Sequence, residues 1–123
     1  MLYSRLNPGD VALGDKLFGS YGDIALLSQR GIDSVFRMHN CRKTDFRKGK
    51  KLGSYDHLVM WKKPGKGTLH LAPELYAQLP ETMILREIRY FINVKGFRTK
   101  KVTLVTTLLD HHIYTYELLA ELY

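Results

Sequence analysis

The chain has 123 residues, of which 45% are hydrophobic and 25% charged, and it carries a formal net charge of +7. This length suits one domain with a single core, and no apolar run approaches the roughly 20 residues that span a bilayer. The amino terminus lacks the apolar core of a signal peptide, so a cytoplasmic protein with no membrane partner is expected. The single cysteine excludes an internal disulfide bond and leaves no cysteine pair for zinc.

The first 38 residues carry the pattern of a parallel β-α-β unit. A short apolar run predicts a strand over residues 10–14, and a run rich in β-forming residues predicts a strand over 32–38. Between them, apolar residues recur at helical spacing over 20–30, with Ser20 as a candidate N-cap and Gly31 as a stop signal. A strand, a helix and a strand within about thirty residues are typical of a crossover between parallel strands.

The rest of the chain is mostly predicted as antiparallel strands. The segment 56–63 predicts a strand and 73–79 a short helix, while the stretches 82–94 and 97–109 predict a hairpin of long strands. Thr115 is a candidate cap for a helix that runs from there to the last residue. The predicted fold class is therefore α/β, with the parallel unit in one sheet and the hairpin in a separate sheet or lobe.

Basic residues are concentrated in the middle of the chain, where ten of the nineteen lie between positions 37 and 66. Such a segment is usually exposed and commonly contacts phosphate backbones. The alternative is a solvated loop whose charge only aids solubility. If it binds DNA, it contacts the backbone and has little sequence preference. The candidate nucleic-acid-binding residues are Arg37, Arg42, Lys43, Arg47, Lys48, Lys50, Lys51, Lys62 and Lys63.

Asp15 follows the first predicted strand directly and is the candidate metal ligand. The carboxyl ends of parallel strands form the crevice in which α/β folds bind ligands. Magnesium is usually held there by one or two carboxylates together with substrate phosphates and water. The alternative for Asp15 is a cap on the turn that follows. Trp61, in the segment "VMWKKP", is expected to pack in the protein more often than to stack on a base.

The order and spacing of these features resemble the DDE transposases of the insertion-sequence-four group. The stretches that carry the resemblance are "RLNPGDVALGDKLFGSYGDIALLSQRGIDSVFRMH", "FRTKKVTLVTTLLD" and "YELLAELY". The resemblance implies a ribonuclease-H-like core in which Asp, Asp and Glu bind two magnesium ions, with a β-rich domain inserted before the Glu. It divides the chain into core residues 1–38, a basic β-rich insertion at 39–110, and residues 111–123 as the start of the helix that leads to the Glu.

The resemblance assigns Asp15 to the second acid, as a catalytic residue and a magnesium ligand. Tyr123 matches the tyrosine of the family signature Y-x-x-R-x-x-x-E. Leu17 is a departure, because family members commonly have a small residue there. The first Asp and the Glu have no counterpart in the 123 residues. The implied function is a transposase fragment that takes part in DNA binding and in magnesium-dependent strand cleavage and transfer when complete, and that is inactive alone.

The partners implied by this resemblance are the DNA ends of a bacterial insertion sequence and either a second copy of the chain or a full-length transposase. Two other functions remain open at this point. One is a non-catalytic, basic DNA-binding module or an inhibitor of a full-length transposase. The other is a nuclease that a second chain completes.

Overall fold

The computed structural model describes residues 7–14, 21–38, 44–64, 73–93, 95–96 and 99–122. In these ranges the chain forms six strands and three helices. The elements in chain order are β1 (Val11–Gly14), α1 (Tyr21–Gln29), β2 (Asp33–Arg37), β3 (Lys50–Gly53), β4 (Asp56–Lys62), α2 (Pro73–Ala77), β5 (Thr82–Ile92), β6 (Lys100–Thr106) and α3 (Tyr116–Leu122).

The strands form one open, six-stranded sheet in the order β1-β2-β6-β5-β4-β3. β1 and β2 are parallel, with Leu13 opposite Val35, and the other neighbouring strands are antiparallel. The predicted β-α-β crossover is confirmed, and so is the predicted hairpin, which is formed by β5 and β6. The fold is therefore mixed α/β.

The prediction that the hairpin forms a separate sheet is wrong. β6 pairs with β2, with Val105 opposite Phe36, so the sheet continues across the predicted boundary at residue 38. The physical reason is the burial of β2, whose residues Ser34, Val35 and Phe36 have no exposed surface. Buried peptide groups need hydrogen-bond partners inside the protein. β1 provides them on one side of β2, and β6 provides them on the other.

A helix covers each face of the sheet. On one face, called here the α1 face, Leu27 of α1 packs with Phe36 and Val105. On the opposite face, called the α3 face, Leu119 of α3 packs with Ile88. Side chains alternate between the faces along a strand. The odd-numbered residues of β5 therefore lie on the α1 face and the even-numbered residues on the α3 face.

The helix ends follow the predicted signals. At the end of α1, the N–H of Gly31 donates to Ser28 and that of Ile32 to Leu27, both at 3.0 Å, and Gly31 has a φ of +75°. This pattern is a Schellman motif, which requires the left-handed conformation that glycine adopts most readily. At the start of α3, the N–H of Leu118 donates to the Thr115 hydroxyl at 3.2 Å, so the predicted cap is confirmed. Ser20 lies outside the described residues.

β3 was not predicted, because its sequence is rich in lysine and glycine. It pairs with β4 at the edge of the sheet, with Lys51 opposite His57. The strand is preceded by Gly49, which has a φ of +73° and at which a Cβ would lie 2.1 Å from the carbonyl oxygen of Leu58. Only glycine lets the chain approach β4 so closely. Lysines on an edge strand also discourage unwanted pairing with other sheets.

Candidate nucleic-acid interface

The predicted catalytic position follows the carboxyl end of the parallel strand β1. This strand ends at Gly14, which is paired with Phe36 of β2. A Cβ on Gly14 would lie 2.2 Å from Cε1 of Phe36, so a larger residue would displace that ring. Packing against Phe36 thus explains why a glycine precedes Asp15. The predicted site residues outside the described ranges are Asp15, Arg42, Lys43 and Tyr123.

Within the described ranges, no three His, Cys, Asp or Glu side chains come together in a way that could hold a metal ion. The rings of His111 and His112 have centroids 4.0 Å apart, but no third donor joins them in that part of the chain. The described acids therefore do not fit a two-metal centre by themselves. The magnesium assignment rests on Asp15 and the family resemblance.

Four of the predicted DNA-binding residues come together at one corner of the sheet. Arg47, Lys48, Lys50 and Lys51, called here the basic corner, lie in β3 and the loop before it, and all four are exposed. β3 and β1 occupy opposite ends of the strand order. Because neighbouring strands are about 4.8 Å apart, the basic corner lies about 24 Å across the sheet from β1.

The other described candidates lie elsewhere. Lys62 is exposed at the far end of β4. The ammonium group of Lys63 donates to the Leu79 carbonyl at 3.2 Å and lies 3.6 Å from the Glu81 carboxylate, and its side chain is only 10% exposed. These internal contacts compete with any phosphate contact. Arg37 lies in β2, which is separated from β3 by three other strands of the sheet. It therefore does not join the basic corner.

A buried polar cluster holds the loop of the basic corner against the sheet. Nδ1 of His57 lies 2.7 Å from the carbonyl oxygen of Lys48, and Nε2 lies 2.6 Å from Oε1 of Glu87. The other carboxylate oxygen of Glu87 accepts a hydrogen bond from the Trp61 indole at 3.2 Å. The ring of Phe46 packs on the imidazole, with centroids 4.7 Å apart. The loop is thus attached through both its backbone and its side chains.

The hydrogen-bond partners of His57 fix where its protons are. A carbonyl oxygen can only accept, so Nδ1 carries a proton and donates it to Lys48. Nε2 faces a carboxylate oxygen, so that contact also needs a proton, shared between His57 and Glu87. Both side chains are almost completely buried. The cluster therefore acts as a fixed support for the loop. A pocket of about 480 Å³ lies beside the cluster and is lined in part by Lys48 and Asp45.

Asp45 is the acidic residue closest to the basic corner in sequence, and it is paired with Arg47. The guanidinium donates to its two carboxylate oxygens at 3.0 and 3.1 Å, and the Arg47 N–H donates at 3.0 Å. These hydrogen bonds from Arg47 hold the pKa of Asp45 at about 2. Asp45 thus orients Arg47 and offsets part of the positive charge that a phosphate would meet.

A second buried cluster fixes α3 on its face of the sheet. The guanidinium of Arg86 donates to both carboxylate oxygens of Asp56, at 2.8 and 2.6 Å, and also to the carbonyl of Tyr114 just before α3. The Tyr116 hydroxyl donates to the carbonyl of Arg89 at 2.6 Å. Arg86 has no exposed surface. The cluster therefore fixes the direction of α3.

These two clusters contain polar residues that the sequence did not identify as structural. In the sequence, His57, Asp56, Arg86 and Glu87 are ordinary polar positions of amphipathic strands. The partners in each pair are about thirty residues apart, and no local pattern marks them. The expectation for Trp61 is confirmed, since it packs in the core of the α1 face.

The fold and the interface define a mixed α/β protein with a basic sheet corner. Comparison with protein-family models, with curated proteins and with solved structures finds no significant match. Among the described residues, no helix is long and apolar enough to cross a membrane.

Proposed function

We propose that this chain binds nucleic acid through its basic corner and that it is a piece of a DDE-type transposase. The observation that carries the first part is the shared exposure of Arg47, Lys48, Lys50 and Lys51 on a loop and an edge strand. A phosphate backbone could contact several of these cations at once, while the buried cluster below keeps the loop in place. Such contacts supply affinity without reading the base sequence.

The proposal of a transposase is supported by the position of Asp15 in the chain. It directly follows Gly14, at the carboxyl end of a strand that is parallel to β2, and this is where α/β folds bind ligands. The resemblance makes Asp15 one of three acids that hold magnesium. When bound, two magnesium ions would activate the attacking oxygen and stabilise the leaving oxygen of a phosphodiester. The 123-residue chain is proposed to be inactive without the other two acids.

The binding part can be tested with two matched double variants of the chain. Lys50→Gln with Lys51→Gln removes two charges from the basic corner. Lys95→Gln with Lys100→Gln removes the same charge from exposed positions near the β5–β6 turn. Fluorescence anisotropy with a labelled DNA duplex should show a clearly larger loss of affinity for the first variant. Equal losses would mean that net charge alone drives binding.

The transposase part needs a longer chain. It should add strands before residue 1 and complete the Y-x-x-R-x-x-x-E helix after Tyr123. Nicking of end-sequence DNA by that chain should require magnesium or manganese. Asp15→Asn should abolish nicking and leave DNA binding largely intact, because it removes a metal-binding charge without changing the size of the side chain. Undiminished nicking by Asp15→Asn would remove Asp15 from the site.

Association with another chain is a second candidate function, favoured by the edge strand β1. Among the described strands β1 is the outermost on its side of the sheet, and Val11 and Leu13 are 42% and 50% exposed. An apolar edge strand is a template for a strand from another chain. Sedimentation of the chain over a range of concentrations should show self-association that Leu13→Lys reduces. A monomer at every concentration would exclude pairing between copies.

A further inference from the structure

We propose that a cluster of aromatic side chains beside the basic corner binds the unpaired bases of single-stranded nucleic acid by stacking. The cluster, called here the aromatic platform, consists of Phe46, Tyr55 and Phe91. The proposal rests on the proposed nucleic-acid binding and adds the form of nucleic acid that is recognised. It does not depend on the assignment of Asp15.

Tyr55 contacts both of the other rings of the platform. Tyr55 and Phe91 have ring centroids 5.1 Å apart at an interplanar angle of 77°, and Phe46 and Tyr55 have centroids 5.8 Å apart at 81°. These are edge-to-face contacts, an arrangement that aromatic pairs prefer. Tyr55 is 43% exposed and Phe91 47% exposed, although aromatic side chains usually bury much more of their surface.

Cations surround the platform. The guanidinium carbon of Arg89 lies 5.1 Å from the centroid of Phe46, and its Nε donates to the Thr103 hydroxyl at 3.0 Å. Lys101 is directly opposite Phe91 on β6, and both are exposed. Lys51 of the basic corner is opposite His57, on which Phe46 packs. Paired residues share a face of the sheet, so these cations and the rings belong to the α1 face.

Two of the described acidic residues near the platform are held by other side chains. Glu87 is buried against His57 and Trp61, and Asp45 is paired with Arg47. Glu117 of α3 lines a groove beside Tyr55 and marks the limit of the platform on that side. A ligand on the platform therefore meets exposed aromatic rings within a positively charged border.

This combination selects the occupant. An apolar peptide or a lipid tail would use the rings but gain nothing from Lys101 and Lys51, whereas a duplex would use the cations but not the rings. Bases inside a duplex already stack on one another, so their faces are covered. Unpaired bases have free faces, and they stack on aromatic side chains regardless of sequence. A single strand satisfies both features, with its bases on Tyr55 and Phe91 and its phosphates on the lysines.

The experiment compares two labelled strands that carry the same number of phosphates. One is an oligothymidylate and the other is an abasic strand of the same length, which has no bases to stack. The wild-type chain should bind the oligothymidylate about tenfold more tightly, which corresponds to about 1.4 kcal/mol. Phe91→Leu and Tyr55→Leu should each reduce this ratio, whereas Phe91→Tyr and Tyr55→Phe should keep it, because each retains a ring.

The outcomes separate this inference from the proposed function. If the wild-type chain binds both strands and a duplex equally well, the platform does not stack bases, while binding by the basic corner stands. If it binds none of them in a salt-dependent way, the proposed function fails and the inference fails with it. Equal loss of oligothymidylate binding in Tyr55→Leu and Tyr55→Phe would also overturn the stacking role, since the ring would then be irrelevant.

Discussion

Nε2 of His57 lies 2.6 Å from a carboxylate oxygen of Glu87, and both side chains are buried beneath the loop that carries the exposed cations. The other ring nitrogen of His57 donates to the backbone of Lys48 in that loop. The pair thus connects the interior of the sheet to the proposed DNA-binding surface. A buried polar group without a hydrogen-bond partner is costly, and here each of the two side chains has partners.

We expect Glu87→Gln to be tolerated much better than Glu87→Leu. The glutamine amide can donate to a neutral His57 and its oxygen can still accept from Trp61, so the hydrogen bonds are kept. Leucine leaves His57 and Trp61 without their partner, and each orphaned buried group costs about 1–3 kcal/mol. Urea denaturation of both variants measures this difference. Equal destabilisation by Gln and Leu would show that the hydrogen bonds of Glu87 are unimportant.

The Arg86–Asp56 pair should behave as a unit. Arg86→Met leaves the carboxylate of Asp56 buried without a partner and is expected to lower the free energy of unfolding by about 3–5 kcal/mol. Adding Asp56→Leu should restore much of that stability, because a hydrophobic pair replaces the buried ions. Urea denaturation of the two single variants and the double variant gives the coupling. Additive effects would contradict a direct interaction.

Tyr116→Phe should weaken the attachment of α3 by about 0.5–1.5 kcal/mol, the usual contribution of one hydrogen bond. Burial, with added effects of Glu117 and Asp56, raises the pKa of Tyr116 from 10.0. Because the folded state holds the neutral hydroxyl, this contribution is fully present below pH 10 and is lost as the pH rises through the raised pKa. The free energies of unfolding of wild type and Tyr116→Phe should therefore differ at neutral pH and converge only at alkaline pH. A constant difference would contradict the assignment.

Asp45→Asn should strengthen DNA binding, because it releases Arg47 and removes a negative charge from the basic corner. Exposed ion pairs are weak, so a gain of about twofold to fivefold in affinity is expected. The lowered pKa of Asp45, about 2, keeps the carboxylate ionised in the folded protein at neutral pH. Its contribution to stability is present above the usual pKa near 3.8 and is lost as the pH falls through about 2. Weaker binding by Asp45→Asn would mean that the orientation Asp45 gives to Arg47 matters more than the negative charge of Asp45.

The sequence predicted the elements whose signals are local. Helical spacing ended by Gly31 indicated α1, and the Thr115 cap indicated the start of α3. The parallel relationship of β1 and β2 followed from the distance between them in the chain.

The sequence did not predict what depends on distant partners. β2 and β6 are about seventy residues apart, so nothing local to either strand showed that Phe36 and Val105 would pair. β3 contains two lysines and a glycine, residues that are poor strand formers, and it exists because Gly49 lets it approach β4. The sequence predicted the basic segment from its run of positive charges. It did not predict the buried pair His57 and Glu87 or the aromatic platform, because the sheet brings those residues together from distant parts of the chain.

The most direct test of the proposed DNA-binding surface is the salt dependence of duplex binding. The affinity of the wild-type chain and of a variant with Arg47, Lys48, Lys50 and Lys51 changed to Ala should be measured from low to moderate salt. Each phosphate that a cation neutralises adds about −0.9 to the slope of log K against log salt. We expect the variant to bind more weakly and with a shallower slope, by about 0.9 for each phosphate that it no longer neutralises. An unchanged slope would contradict the claim that the basic corner contacts the DNA backbone.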